Sequence, residues 1–307
     1  MNKIIENFLF VDIEGQKLTK EDKVILEHPY VVGVILFSRN YSDNENGIEQ
    51  ITKLIKDIKS IKNKNLKIAV DHEGGDVQRF KANFTLLPKA VDIEEIHKHN
   101  KEKGLKLAYS VGKTAGYELF NIGVDINFAP SIDLRGIDNK IVKTRSFGDD
   151  KYIVTRLARE YIKGLSESGV MAVVKHFPGH GFVEHDSHFD LPIDNRELDI
   201  IEQNDLFIYK EIFKIIPSNQ YAVMSAHVLY PKIDNEYPAS LSTIWMNDIL
   251  KGKMNFEGHI FSDDLNMLAL NNFGTPVEKV KLSLEAGCDY ILYCNNREAV
   301  LDILDNL

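Results

Sequence analysis

The chain has 307 residues, of which 44% are apolar and 27% are charged, and its formal net charge is −9. These proportions are typical of a soluble globular protein with a large core, and the length fits one α/β barrel or two average domains. The negative charge argues against nucleic acid or an anionic membrane surface as the main partner. We therefore expect neither a nucleic-acid-binding nor a membrane-binding protein.

The N-terminal residues and the cysteines indicate a compartment. The first residues contain no uninterrupted apolar segment, so no signal peptide is predicted, and the longest apolar run, 31–37, is far too short to span a bilayer. Cys288 and Cys294 flank a predicted strand that would hold them too far apart for a disulfide. Free thiols fit a reducing cytoplasm, which is where we expect this protein.

Short apolar runs recur along the whole chain. They are rich in Val, Ile and Phe and do not alternate with polar residues, which is typical of parallel strands buried on both faces. The eight runs cover residues 8–12, 31–37, 67–71, 125–130, 172–177, 222–227, 259–263 and 290–294.

Helical patterns separate these predicted strands. The predicted helices cover residues 47–61, 104–121, 151–168, 196–216, 241–251, 276–286 and 297–307. Several are followed by a glycine, as at Gly123, Gly169 and Gly287, which can adopt the left-handed conformation that stops a helix. The alternation predicts a single catalytic (β/α)8 TIM-type barrel over residues 1–307, with a doubly wound sheet plus a subdomain as the alternative.

A barrel of this kind carries its chemistry at the C-terminal ends of its strands. The polar residues that lie in the predicted strands, most of them at or near the ends, are Asp71, Asn127, Lys175, His176, His227 and Asp263. Their positions agree with that expectation.

The segment after the third predicted strand combines charge with two glycines. Gly74 and Gly75 let the backbone turn sharply or approach a ligand, and Arg79 lies eight residues beyond Asp71. Asp71 and Arg79 could hold the hydroxyls of a polar ligand. Alternatively, they could form an ion pair that only organises the loop.

Two adjacent carboxylates follow the seventh predicted strand. A carboxylate at this place is suited to act as a nucleophile or base, or to cap a following helix. We expect Asp263 to be the catalytic one and Asp264 to be the cap. Arg145, in the loop after the fourth strand, could pair with a substrate or with Asp149 or Asp150.

Four of the ten histidines fall between residues 176 and 188. One interpretation is a solvated loop, and another is a dyad in which Asp186 orients His188 and raises its pKa so that it can exchange protons near neutral pH. A third is a metal site, although an intervening proline and glycine break the helical spacing of zinc proteases. Its ligands would be His176, His180, Asp186 and His188.

Together these motifs resemble those of the glycoside hydrolase family 3 β-N-acetylglucosaminidases, bacterial enzymes of cell-wall recycling. The resemblance runs from about residue 8 to near the C-terminus. The motifs, in order, are DHEGGDVQRF (71–80), NFAP (127–130), RSF (145–147), KHFPGHG (175–181), DSH (186–188), AH (226–227) and SDD (262–264). The fourth and fifth are the most specific to that group.

The resemblance implies a cytoplasmic barrel that uses no metal or other cofactor. Its substrate would be a small carbohydrate, such as a muropeptide or a disaccharide that contains N-acetylglucosamine (GlcNAc), and we expect a monomer. By position, Asp263 would be the nucleophile and His188 the general acid/base, tuned by Asp186. The sugar's hydroxyls and acetamide would be held by Asp71, Arg79, Arg145, Lys175 and His176.

A nucleophile at Asp263 would form a covalent glycosyl-enzyme intermediate, and that intermediate is compatible with other activities. A phosphorylase or transglycosidase is one, because a histidine acid/base would not repel incoming phosphate. A β-glucosidase of the same family and a sugar-binding barrel without activity are others. Two positions depart from the family pattern: His72 stands where glutamine is common and Asp76 where a basic residue is common. The second puts in doubt any charge contact with the leaving group.

Overall fold

The computed structural model describes residues 7–61, 66–136, 142–183 and 190–307. Its parallel strands close into a barrel in sequence order, with the last strand pairing with the first. The predicted (β/α)8 barrel is therefore confirmed and the open sheet is wrong. The strands are β1 (Leu9–Val11), β2 (Val31–Leu36), β3 (Lys67–Val70), β4 (Ile126–Asn127), β5 (Met171–Phe177), β6 (Tyr221–Ser225), β7 (Ile260–Asp264) and β8 (Tyr290–Tyr293).

Helices surround this barrel. They are α1 (Lys20–Glu27), α2 (Gly47–Lys59), α3 (Ala90–His99), α4 (Lys101–Ile122), α5 (Lys151–Ser166), α6 (Leu198–Gln203), α7 (Asp205–Phe213), α8 (Pro276–Ala286) and α9 (Arg297–Asn306). The single helix predicted over 196–216 is wrong, because the chain bends at Asn204 between α6 and α7. The helix predicted over 241–251 is a π-helical segment, Ile244–Lys253.

Helices α1 and α3 lie outside the predicted set. Both are short, so neither carries enough turns for a clear apolar periodicity. Helix α1 begins with a capping box in which the Thr19 side chain accepts from the Asp22 N–H and the Asp22 carboxylate accepts from the Thr19 N–H. That reciprocal pair satisfies N–H groups that would otherwise lack partners at the first turn.

The strands separate two apolar cores. Side chains from all the strands fill the barrel interior, where the rings of Phe10 and Phe128 each lie 5.4 Å from the ring of Phe261. The alternate side chains face outward and pack with the helices in a larger cluster. Because the interior is filled, polar side chains collect above it, at the carboxyl ends of the strands.

An antiparallel hairpin (His72–Gly74 with Val77–Gln78) follows β3 directly. Asn127 of β4 holds it, because its side chain accepts from the His72 N–H at 2.9 Å and donates to the His72 carbonyl at 3.0 Å. Gly74 and Gly75 both adopt positive φ, 113° and 56°. The hairpin thus folds back over the barrel mouth and brings Arg79 to Asp71.

Three peptide bonds near the mouth are cis: Ala129–Pro130, Lys175–His176 and Phe177–Pro178. The prediction of free cysteines is confirmed, since Cys288 and Cys294 are both unbridged and buried. Within the described ranges, no helix is long and apolar enough to cross a membrane.

Candidate active site

Most of the residues singled out from the sequence meet at one end of the barrel. Asp71 follows β3, Lys175 and His176 lie in β5, and Asp263 lies in β7. Lys175 and His176 lie near the end of β5, which stops at Phe177 as predicted. Since these strands are parallel, their carboxyl ends place the side chains around a common mouth.

A cluster of ion pairs forms one side of this mouth. Lys175 Nζ lies 2.8 Å from Asp71 Oδ1 and 2.9 Å from Glu73 Oε1. Arg145 binds Glu73 through two nitrogens, at 2.9 and 2.6 Å, and Arg79 Nη2 lies 3.2 Å from Asp71 Oδ2. Three cations and two carboxylates therefore form one network, which we call the ion-pair cluster.

The members of the ion-pair cluster remain charged despite their burial. Burial would raise the pKa of Glu73, but Arg145 and Lys175 outweigh it and lower that pKa to about 2. Burial opposes ionisation of Asp71 too, yet Lys175 and Arg79 hold its pKa well below the usual value. Burial would lower the pKa of Lys175, and the two carboxylates raise it instead. The cluster is thus a fixed array of charged donors and acceptors at neutral pH.

These contacts identify the partners of Asp71, Arg79 and Arg145, which the sequence left open. Asp71 and Arg79 do form an ion pair, and their contact with a sugar remains a prediction. Of the two alternatives for Arg145, pairing with Asp149 or Asp150 is wrong, because its partner is Glu73, and contact with a substrate remains a prediction. The role of Glu73 was not predicted from the sequence, although Glu73 stands between Asp71 and Arg79, the two residues considered there, which flank its hairpin.

A second buried carboxylate, Asp133, also escaped that reasoning. Its Oδ2 lies 2.7 Å from His176 Nδ1 and accepts from Ser131 Oγ at 2.9 Å, and its Oδ1 accepts from the His180 N–H at 2.7 Å. Asp133 therefore orients the His176 imidazole and holds the chain that leaves β5. Its position just past the NFAP motif, beyond a barrel strand, was a usable sequence signal.

Asp263 lies across the mouth from the ion-pair cluster, and a backbone hydrogen bond holds its carboxylate. Its Oδ1 accepts from the Asp264 N–H at 2.9 Å. Burial would raise the pKa of Asp263, but His227 and His176, the Asp264 N–H and Lys175 together lower it. The carboxylate is therefore ionised at neutral pH.

Asp264 has a different role from the one expected. No α-helix begins directly after it, so the predicted helix cap is wrong. Instead, Oδ1 accepts from the N–H groups of Asn266 and Cys294, each at 3.0 Å. Burial raises its pKa to about 7. Asp264 therefore joins the ends of β7 and β8.

His227 was expected to end strand six, and β6 stops two residues earlier at Ser225. Its imidazole is fully buried. Nε2 lies 3.0 Å from the Asp264 carbonyl oxygen, and Nδ1 lies 2.7 Å from Ser240 Oγ. A histidine that follows β6 thus touches the backbone next to Asp263.

Asp186 and His188 lie outside the described residues. The chain on either side of them is anchored to the barrel. On the N-terminal side, Tyr230 donates its hydroxyl proton to the Gly179 carbonyl. On the C-terminal side, Arg196 binds Asp194 at 2.7 Å and Asp205 at 2.7 Å.

The histidines also suggested a metal site. His176 uses Nδ1 to bind Asp133, and burial lowers the pKa of His180 to about 4. Among the residues that the structure describes, no group of three His, Cys, Asp or Glu side chains could hold a metal ion. Two of the four suggested ligands, Asp186 and His188, fall outside that part of the chain.

The site and fold agree with comparisons to known proteins. A family model described as glycosyl hydrolase family 3 N terminal domain matches residues 2–307. The curated Beta-hexosaminidase of Nitrosospira multiformis is 42% identical over 299 residues, which cover 97% of this chain and 83% of that protein. The chain belongs to glycosyl hydrolase family 3.

Solved structures narrow the class. Native NagZ from Neisseria gonorrhoeae has a TM-score of 0.91 and 40% identity, over 100% of this chain and 87% of that one. The same protein in complex with N-trifluoroacetyl-D-glucosamine has a TM-score of 0.91 and 39% identity, with the same coverage. Its complex with a zinc ion has a TM-score of 0.89 and 39% identity, over 100% and 86%. This chain is a glycoside hydrolase of the β-N-acetylhexosaminidase type.

Proposed function

We propose that this chain is a retaining exo-β-N-acetylglucosaminidase that removes non-reducing terminal GlcNAc from peptidoglycan fragments, such as GlcNAc-1,6-anhydroMurNAc-peptides. It acts as a monomeric, single-barrel enzyme in the cytoplasm. Asp263 attacks the anomeric carbon and forms a covalent glycosyl-enzyme. His188, supported by Asp186, protonates the leaving oxygen and then deprotonates the water that releases the sugar.

One observation carries the assignment of Asp263. It is an ionised carboxylate at the end of a barrel strand, with one oxygen held by a backbone N–H and with the ion-pair cluster across the same mouth. A nucleophile needs the ionised form, and Asp264, beside it, has a pKa raised to about 7. Of the two adjacent carboxylates, Asp263 is therefore the better nucleophile at neutral pH.

The ion-pair cluster and His176 supply the sugar subsite. Lys175, Arg79 and Arg145 present N–H donors, and Asp71 presents carboxylate acceptors, which together match the hydroxyls and the acetamide of GlcNAc. Because Asp133 fixes His176 through Nδ1, Nε2 is the ring nitrogen left for the substrate. The relative from Neisseria gonorrhoeae was solved with a GlcNAc analogue, which supports this class of ligand.

The reaction as proposed needs no metal ion. Asp263 supplies the nucleophile and an imidazole supplies the proton, so a Lewis acid has no step to perform. The Neisseria gonorrhoeae relative has been solved in complex with a zinc ion. We propose that this chain turns over without one.

A mechanism-based trap tests the proposal. A fluorinated GlcNAc analogue with a good leaving group should accumulate as a glycosyl-enzyme, and peptide mapping should put the added mass on residues 261–267, at Asp263. The rival is attack by the substrate's own acetamide, which forms no adduct with the enzyme. Absence of an adduct with an analogue that is turned over, or an adduct elsewhere, would contradict the proposal.

A second experiment tests whether water or phosphate accepts the sugar from the enzyme. Rates of GlcNAc release with and without inorganic phosphate separate hydrolysis from phosphorolysis, and we expect no dependence on phosphate and no sugar phosphate. Comparison of an aryl β-N-acetylglucosaminide with the matching β-glucoside tests the sugar. We expect a strong preference for the acetamido sugar, because site groups that pair with the acetamide are left unpaired when that group is absent.

A further inference from the structure

A buried imidazole lies directly behind the proposed nucleophile. His227 belongs to the turn after β6, and its Nε2 lies 3.0 Å from the carbonyl oxygen of Asp264, the residue next to Asp263. The proposed mechanism gives this histidine no part. Its side chain has no exposed surface, so it does not reach solvent.

The partner of Nε2 decides which nitrogen carries a proton. A backbone carbonyl oxygen can only accept, so Nε2 must be the N–H donor of this bond. In the neutral imidazole, Nδ1 is then the acceptor and takes the hydroxyl proton of Ser240, 2.7 Å away. Ser240 is itself fixed, because its N–H donates to the Ala226 carbonyl at 3.1 Å. The ring therefore has one orientation and one tautomer.

Asp264 transmits this orientation to the nucleophile. Its N–H donates to Asp263 Oδ1 at 2.9 Å, and its carbonyl accepts from His227. Its own carboxylate is held by the N–H groups of Asn266 and Cys294. The bond from His227 holds the Asp264–Leu265 peptide group from the β6 side, and the Leu265 N–H donates to the Leu292 carbonyl at 2.9 Å on the β8 side. Without His227, this peptide group is held from the β8 side only, and a shift in it passes through the Asp264 Cα to the Asp263–Asp264 peptide group, whose N–H binds Asp263 Oδ1.

We propose that His227 is a positioning residue for the nucleophile, which it aims by holding the Asp264 backbone. The inference rests on the proposed function, in which Asp263 attacks the anomeric carbon. With Oδ1 occupied by the Asp264 N–H, Oδ2 is the oxygen that attacks. Misplacing a reacting atom by about 1 Å costs on the order of 10²-fold in rate, so a hydrogen bond that holds the adjoining peptide group matters to glycosylation.

Two substitutions of similar size and polarity separate this role from a merely structural one. In His227→Gln the amide nitrogen reaches the place of Nε2 and can still donate to the Asp264 carbonyl. In His227→Asn the amide reaches only the place of Nδ1 and its contact with Ser240, and the donor to Asp264 is lost. Both leave a polar side chain in the same buried space.

The readout is the rate of covalent trapping by the fluorinated analogue, together with kcat/KM and the thermal midpoint. We expect His227→Asn to slow trapping by roughly 10²-fold and His227→Gln to stay within several-fold of the wild type, at similar thermal midpoints. Because the defect lies in the attack, kcat/KM should fall by the same factor for good and poor leaving groups. Loss of an acid would give a different pattern, since it spares good leaving groups.

Three results would overturn the inference. The first is a His227→Asn variant that traps at the wild-type rate. The second is an equal loss of trapping in both variants that follows a fall in thermal midpoint, which would make His227 a packing residue. If His227→Asn does not fold, Ser240→Ala replaces it, since it frees the ring on the Nδ1 side, and an unchanged trapping rate in that variant is the third.

Trapping of the wild-type protein distinguishes a failure of the proposed function from a failure of this inference. Trapping of the wild-type protein at a residue other than Asp263 overturns the nucleophile assignment, and this inference with it, before any variant is measured. Trapping of the wild type at Asp263 with a normal His227→Asn variant overturns the inference alone.

Discussion

At the mouth of the barrel, carboxylates and cations bind each other before any substrate is present. Glu73 illustrates why: its two oxygens accept three hydrogen bonds from Arg145 and Lys175, so the donors that would meet a sugar are already aligned. Alignment in advance lowers the cost of ordering side chains when the ligand binds. The proposed subsite therefore depends on the positions of these side chains as well as on their charges.

Replacing Glu73 with Gln should damage both stability and binding. The change leaves Arg145 and Lys175 buried with one carboxylate fewer, and breaking a buried pair of this kind costs about 3–5 kcal/mol. We expect a matching fall in the free energy of unfolding, measured by urea titration, and a higher KM for the glycoside.

Asp76→Asn is the control for Glu73→Gln. Asp76 lies in the same hairpin turn and pairs with Lys89 at 3.0 Å, but it is exposed to solvent. Solvent screens such a pair, so stability should be unchanged. Equal losses in the two variants would show that charge in this turn, and not the buried network, is what matters.

The proposed acid/base role of His188 can be tested by comparing substrates with good and poor leaving groups. If it protonates the leaving oxygen, His188→Ala should slow a natural disaccharide far more than an activated aryl glycoside, because a good leaving group departs without a proton. Asp186→Asn should act in the same direction more mildly, since it removes the charge that supports the imidazolium. Steady-state rates on the two substrates measure this, and an equal loss on both would assign His188 to substrate positioning, with His176 the next candidate.

At the scale of elements, β5 and the hairpin after β3 build the site between them. Strand β5 contributes Lys175 and His176, and the hairpin contributes Glu73 and brings Arg79 back to Asp71. The hairpin also buries a histidine side chain, which is unfavourable. The His72 ring is fully buried between Phe80 and Phe84, at 5.9 and 5.7 Å, and neither ring nitrogen has a hydrogen-bond partner in the described structure.

This histidine should make the protein sensitive to acid. Burial, with the charge of Arg79, lowers the pKa of His72 to about 4 from 6.5. The unfolded chain therefore takes up a proton near pH 6.5 while the folded protein does not, so stability is complete above that pH and falls as the pH drops toward 4. A shift of this size corresponds to roughly 3 kcal/mol.

His72→Leu removes that dependence. Between pH 7 and pH 4, wild type should lose about 3 kcal/mol more unfolding free energy than the variant, measured by denaturant titration at each pH. His99→Leu, at a solvent-exposed histidine on α3, is the matched control and should follow the wild-type curve. Parallel curves for wild type and His72→Leu would show that His72 binds its proton equally in both states.

At the scale of the whole molecule, the filled barrel interior lies beneath the residues that we propose perform the chemistry. Asp263 at β7 faces the ion-pair cluster at β3 and β5, and the barrel wall sets the span between them. Nothing in the proposed reaction requires this span to hold an ion, because a carboxylate and an imidazole supply its nucleophile and its proton.

Removal of metal should therefore change nothing. After dialysis of the whole protein against a strong chelator, we expect unchanged turnover of an aryl β-N-acetylglucosaminide and an unchanged thermal midpoint. Elemental analysis before and after dialysis is the check. Stoichiometric zinc in the purified protein, with activity that is lost on its removal and restored on its return, would contradict the expectation.

The barrel was readable from the sequence because its determinants are local. Each strand is a short apolar run whose burial on both faces leaves no alternation, and helices α4 and α8 end at Gly123 and Gly287, which adopt positive φ as predicted. The position of Asp263 at the end of a strand follows from the same reasoning. These features depend on residues within a few positions of one another, so the sequence by itself determined them.

The partners of the charged residues depend on the tertiary structure. Arg145 meets Glu73, 72 positions away, Asp133 meets His176 across 43, and His227 meets Asp264 across 37. No local pattern encodes such pairs, because Asp149 and Asp150 were nearer to Arg145 in sequence and equally charged. Closure of the barrel places the ends of the strands side by side, and this decides which carboxylate each cation reaches. It also places the Asp264 carboxylate where it binds the N–H of Cys294, just after β8, so that Asp264 does not cap a helix.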